Sequence, residues 1–239
     1  MLLAAYDARR PTRDVDIQAL ALAGEREYVL QMIRAIAITP MDDGLVFNTH
    51  GATADVIRDE DECSGVRITM TATLASAELS LHIDVSVGDP IIPAPRLVNL
   101  PRLLGGSICV IGYPLPMVYA EKTMTVVQPG TVNTRWLDFA DLFVLSGRNP
   151  VDGDEVQEAL SAVATYRNVA PTTLAVALDG FAALAQSRWF AWRRKQHLDD
   201  RLPSAFAHVL DAVVAFADPP LKGAVSGKTW DPTTRSWPS

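Results

Sequence analysis

Between Thr12 and Leu20, charged and apolar residues alternate around Val15 and Ile17, which predicts a strand with two unlike faces. Ahead of it, Leu2 to Ala8 has the look of a helix tail with no capping residue before it. From Glu25 to Ala37, the residues Tyr28, Leu30, Met32, Ile33 and Ile36 recur at near-helical spacing and predict a helix. Two long alternating runs follow, Arg67 to Leu74 and Glu78 to Val87. A few small residues separate them, which predicts an antiparallel hairpin. Gly88 to Arg102 contains Pro90, Pro93, Pro95 and Pro101, so an irregular connection along one sheet edge is expected there. Ile108 to Ile111 is expected to be a short final strand.

Beyond Pro114 and Pro116 the period changes. Met117 to Gln128, Thr134 to Ser146, Gly153 to Tyr166, Thr172 to Lys195 and Ser204 to Phe216 all predict helices. The breaks fall at Pro129-Gly130, Asn149-Pro150 and Pro171. Strands grouped ahead of helices predict an α+β architecture, with an α/β core over residues 1–113 and a helical subdomain over 114–239. The last stretch, Asp218 to Ser239, is rich in Pro, Gly, Ser and Thr but carries Trp230 and Trp237, so it is expected to dock on the body.

Composition adds limits. Of 239 residues, 49% are hydrophobic and 21% charged, which suits a folded soluble chain rather than a disordered one. The formal net charge of -7 means that any contact with nucleic acid needs a local basic patch. One candidate is Arg188-Trp-Phe-Ala-Trp-Arg-Arg-Lys195, followed by His197, where aromatic and basic residues interleave. The same residues equally suit a helix whose aromatics pack inward and whose last-turn cations meet the helix dipole. No apolar run is long enough to span a bilayer, and the N-terminus lacks the layout of a signal peptide, so a cytoplasmic location is expected. The two cysteines, Cys63 and Cys109, are far apart and form no Cys-x-x-Cys pair; buried, reduced thiols are expected.

The carboxylates carry the candidate chemistry. Asp14 and Asp16 lie two apart on a predicted strand, so both point to one face. Like charges at that distance repel unless a cation lies between them, and Mg²⁺ is commonly held by one or two carboxylates plus substrate phosphates. Asp84, in His82-Ile-Asp-Val-Ser86, alternates with apolar neighbours and would join them if its strand lies beside the first. An exposed strand face fits these acids as well. Arg9, Arg10 and Arg13 surround the pair and could meet phosphate oxygens or merely balance charge. Lys122 follows Glu121 inside a mostly apolar predicted helix, from which it can snorkel to solvent or reach a phosphate. Arg135, Asp138 and Asp141 step by threes along the next helix, on a face separate from the stripe of Trp136, Phe139, Ala140, Phe143 and Val144.

Four of these segments occur in an order that resembles a known family. Thr12-Arg-Asp-Val-Asp16, the strand His82-Ile-Asp-Val85, Glu121-Lys122 and Arg135-x-x-Asp-Phe-Ala-Asp-Leu142 are similar to the AbiEii-type nucleotidyltransferase toxins of type IV toxin–antitoxin pairs, which include mycobacterial toxins. The likeness runs from the first residues to about Leu145. It implies a polymerase-beta-like core with a helical C-terminal half. It also implies Mg²⁺-dependent transfer of a nucleoside monophosphate from an NTP to an RNA acceptor, the 3′ end of tRNA in relatives, and a cognate antitoxin partner. By matching position, Asp14 and Asp16 would be the metal pair and Asp138 the family's second-half aspartate. Lys122 would be the helical lysine near the triphosphate. Thr12 falls where some relatives carry a serine that the antitoxin phosphorylates. In this reading Asp84 joins the metal site and helps to activate the acceptor hydroxyl, and Arg13 steadies the triphosphate with Lys122. The family also has a Lys-Gly-Gly-like turn before the helix that leads to the acid pair, whereas this sequence starts at Met1 within that helix. A late start, a truncation or a missing loop would each account for it. Two further readings stay open: a relative without activity that binds a partner, and an enzyme that modifies a protein, which the net acidity favours.

Overall fold

The computed structural model describes residues 2–10, 12, 14–20, 25–58, 64–88 and 90–238. The chain divides into two compact units. The first is Pro11–Asp89; the second joins Leu2–Arg10 to Pro90–Ser239. This division differs from the expected boundary near residue 113, because a second small sheet goes with the helices.

In the first unit, strands β1 (Asp14–Ala19), β2 (Leu45–Phe47), β3 (Thr53–Arg58), β4 (Ser64–Leu74) and β5 (Ala77–Val87) form one sheet, and helix α1 (Arg26–Ala37) joins β1 to β2. β4 and β5 are the expected hairpin. β5 then pairs in parallel with β1, while β2 and β3 lie against successive stretches of the other edge of β4. The alternation seen in the sequence sorts the two faces. Val66, Ile68, Met70 and Val85 are buried against Val29, Leu30 and Ile33 of α1. The residues between them, Arg67, Thr69, His82 and Asp84, project from the opposite face, as do Asp14 and Asp16 of β1. The core of this unit therefore pins the strands that carry the acids.

In the second unit, residues Leu2–Tyr6 form a single 3-10 turn rather than an α-helical tail. β6 (Arg96–Pro101) and β7 (Ser107–Gly112) make a separate antiparallel ribbon. β6 was not expected; its prolines flank the strand or end it, so its ladder survives. Helices α2 (Leu115–Val127), α3 (Trp136–Ser146), α4 (Gly153–Tyr166), α5 (Leu174–Ala177), α6 (Phe181–Lys195) and α7 (Phe206–Leu221) follow. The single helix expected over Thr172 to Lys195 is two, because Gly180 adopts φ 69° and breaks the run. α2 is buried on most sides, and its partners supply an aromatic core of Trp136, Phe139, Phe181, Trp189 and Phe206.

The tail docks as its tryptophans suggest. Trp230 is fully buried against Phe216 and Trp237, and its indole N–H donates to the carbonyl of Ser146 at 2.6 Å. Trp230→Ala should cost about 3–5 kcal/mol, the usual range for emptying a tryptophan site in a core. A urea titration followed by far-UV circular dichroism checks this; a midpoint unchanged from wild type would mean that the tail contributes nothing. Among the described residues, no helix is long and apolar enough to cross a membrane.

Candidate functional site

The acid pair lies on β1, with its position set by the parallel pairing to β5. Asp14 is in register with His82, and Asp16 with Asp84. Cross-strand partners share a face about 5 Å apart. Asp84 is thus brought beside Asp16, as expected if the two strands were neighbours. Thr12 is exposed, and its hydroxyl donates to the carbonyl of Asp14 at 3.0 Å. Arg13 lies outside the described residues, as does Cys63.

Asp84 has a partner that the sequence did not announce. Arg67 of β4 forks onto it, Nε to Oδ1 at 2.7 Å and Nη2 to Oδ2 at 2.6 Å. Hydrogen bonding and charge from Asp84, with smaller contributions from Asp14 and Asp16, raise the proton affinity of this guanidinium. Among the described residues, no group of three or more His, Cys, Asp or Glu side chains is gathered to hold a metal ion. Asp84 is directed at Arg67 rather than into a ready three-acid cluster. Asp14 and Asp16 share one face of β1, and two such carboxylates are a donor set that suits Mg²⁺ when substrate phosphates complete the shell.

Lys122 and Asp138 belong to the second unit, where they form a different assembly. Lys122, on α2, neither snorkels nor stands alone. Its ammonium lies 2.8 Å from Asp138 Oδ1 and 2.8 Å from Asp141 Oδ2, both on α3. Arg10 closes the group from the other side, with Nε at 3.0 Å from Asp141 Oδ1. The step of three along α3 is what lets one lysine span both carboxylates. Burial alone would lower the Lys122 pKa, but the charges of Asp141 and Asp138, with their hydrogen bonds, outweigh it and the pKa is raised. Lys122 is therefore a held cation. Glu121 pairs separately with Arg167, the residue that caps the C-terminus of α4. Arg9 donates to the carbonyl of Pro101, and Arg10 donates to Asp141.

The basic stretch on α6 is mixed. Trp189 is fully buried and donates to the carbonyl of Pro203 at 3.0 Å; Arg193, also buried, donates to the carbonyl of Leu202 and pairs with Asp199. Arg188, Arg194, Lys195 and His197 are exposed, and Arg194 stands over the half-exposed ring of Phe190. Cys109 is exposed on β7, contrary to the expectation of a buried thiol.

A sequence profile described as the nucleotidyl transferase AbiEii toxin of type IV toxin–antitoxin systems matches residues 1–214. No curated protein matches. Two solved structures from Helicobacter pylori are similar, each 14% identical over 93% of this chain. One, described as a candidate nucleotidyltransferase, is covered over 84% of its length with a TM-score of 0.48. The other, JHP933, is covered over 81% of its length with a TM-score of 0.49.

Proposed function

Because the chain belongs to the AbiEii family, the nucleotidyl transferase toxins of type IV toxin–antitoxin systems, we propose that it moves a nucleoside monophosphate from an NTP to the 3′ end of an RNA, tRNA by resemblance, with Mg²⁺ held at Asp14 and Asp16. That it is a nucleotidyltransferase and has an antitoxin counterpart follows from the family itself. The observation that supports the metal reading is the register of Asp16 with Asp84, on a face opposite the α1-packed core.

In this mechanism the acceptor hydroxyl attacks the α-phosphorus in line, and pyrophosphate leaves. Asp14 and Asp16 would hold Mg²⁺, which when bound would neutralise charge on the reacting phosphate. Asp84 accepts the proton of the attacking hydroxyl once its oxygens are free. The resemblance assigns Lys122 to the triphosphate, and in this chain Asp138 and Asp141 orient its ammonium. The exposed cations at the end of α6 support an RNA acceptor; the net charge of -7 supports a protein one.

The test offers each α-labelled NTP with Mg²⁺ to the purified protein, together with tRNA or with a protein lysate. Label should enter tRNA and be removed by a 3′ exonuclease. Label found only on protein overturns the acceptor, and no transfer with any NTP overturns the reading as a whole.

A further inference from the structure

Four charged residues cross the sheet of the first unit in one row. Asp16 of β1 is in register with Asp84 of β5, Asp84 with Arg67 of β4, and Arg67 with Asp55 of β3. Partners in such a row project from the same face at about 5 Å spacing. The guanidinium has both its bonds on Asp84, in the fork geometry that suits a carboxylate or a phosphate alike. The backbone beneath it is pinned, since Val66 and Ile68 on either side are 2% and 0% exposed. The Arg67 side chain itself is 46% exposed and has room to swing. A bidentate fork can steady the two strands, and it also neutralises Asp84, which a threonine like its neighbours Thr69 and Thr71 would not do.

We infer that Arg67 is a resident counter-cation of the carboxylate row: it occupies Asp84 in the free protein, yields it when an NTP arrives, and then turns its fork onto the phosphates. This rests on the reading of Asp14 and Asp16 as the metal pair. A carboxylate gripped on both oxygens has little to offer a divalent ion or the proton of an acceptor hydroxyl. Without a cation, however, Asp16 and Asp84 would repel each other across adjacent strands. Arg67 resolves that repulsion in the free state. A triphosphate carries more negative charge than one carboxylate and accepts the same bidentate bonds, so it is a stronger partner for the fork. Asp84 is then released when substrate is in place.

Mn²⁺ serves as the probe, counted by the electron paramagnetic resonance of the free ion in titrations of the full chain. Wild type should bind one Mn²⁺ without nucleotide and a second in the presence of a non-hydrolysable NTP analogue. Arg67→Met keeps the aliphatic stem and removes the charge. It should bind two without nucleotide, or bind Mn²⁺ at least about tenfold more tightly, the scale of one unit charge a few ångströms away near a surface. Its KM for NTP should rise, also by about tenfold. Arg67→Lys keeps the charge without the fork, so it should match wild type in Mn²⁺ binding and still show the raised KM. Equal number and affinity in wild type and Arg67→Met overturns the role of Arg67 alone. Binding by neither overturns the metal reading of Asp14 and Asp16 and this inference with it. A melting curve of Arg67→Met matching wild type within a few degrees shows that the comparison is between folded proteins.

Discussion

Asp16→Asn should reduce nucleotide transfer by about 10³-fold or more while leaving the protein folded. The change keeps the shape of the side chain and one acceptor oxygen but removes the charge. A carboxylate acts on a reacting phosphate only through the cation it holds; losing that cation's stabilisation is commonly worth about 10²–10³ or more in rate. The fold has little at stake. Asp16 is exposed, on the face opposite the α1-packed core, and exposed substitutions outside special features usually stay within about 0.5 kcal/mol. Loss of a like charge beside Asp14 and Asp84 also relieves repulsion when no metal is present. The matching control is Glu78→Gln. Glu78 is exposed on the same face of the same strand as Asp84, six residues away, or roughly 20 Å. It should transfer label at the wild-type rate. Thermal melts with and without Mg²⁺ add a readout independent of turnover: the ion should raise the wild-type midpoint and leave that of Asp16→Asn where it was. If Asp16→Asn still transfers label within about tenfold of wild type, the metal does not sit on Asp16.

How much of this was legible depended on which physical signal each residue leaves. Alternation over β4 and β5 is long and strict, so the hairpin and its polar face could be read directly. β2 and β3 were not. β2 is three residues long, and the Asp, Asn, Thr and Gly around both resemble loop. In α3 the apolar stripe separated Asp138 and Asp141 from the core side, but their common partner on α2 is a tertiary fact without a sequence trace. Arg10, open in the sequence between a phosphate contact and charge balance, belongs to that cluster. Arg67 could have been found. The short turn at Ala75 and Ser76 pairs Leu74 with Ala77, and seven residues back and seven on from that pair lie Arg67 and Asp84. A hairpin register carries that information before any coordinates exist. By contrast, the parallel pairing of β1 with β5 is non-local and needs the fold.

Lys122→Met should lower stability by about 3–5 kcal/mol, the cost of removing one partner from a buried ion group and stranding the others. Asp141 is nearly buried, with its side chain 6% exposed, and Asp138 is 19% exposed. Without Lys122, Arg10 still serves Asp141, while Asp138 loses the partner that holds it. For a chain of this size the midpoint should fall on the order of 10 °C. Lys122→Met with Asp138→Asn should regain part of the loss, because the stranded charge goes with its partner. That non-additivity marks a shared network rather than two independent sites. The pH dependence has a definite sign. Lys122 has its pKa raised on folding, so its contribution is complete below the ordinary lysine value of 10.5 and fades only as pH rises through the higher folded value. Between pH 6 and 9 the variant's deficit should therefore be flat. The functional role separates from the structural one through Lys122→Arg, which keeps the charge but replaces a compact ammonium by a planar fork. If Lys122 acts as a point charge on the triphosphate, this variant regains stability more fully than transfer rate. A Lys122→Arg protein that recovers both in equal measure would reduce Lys122 to a brace between α2 and α3. A Lys122→Met protein that melts with wild type would dissolve the network altogether.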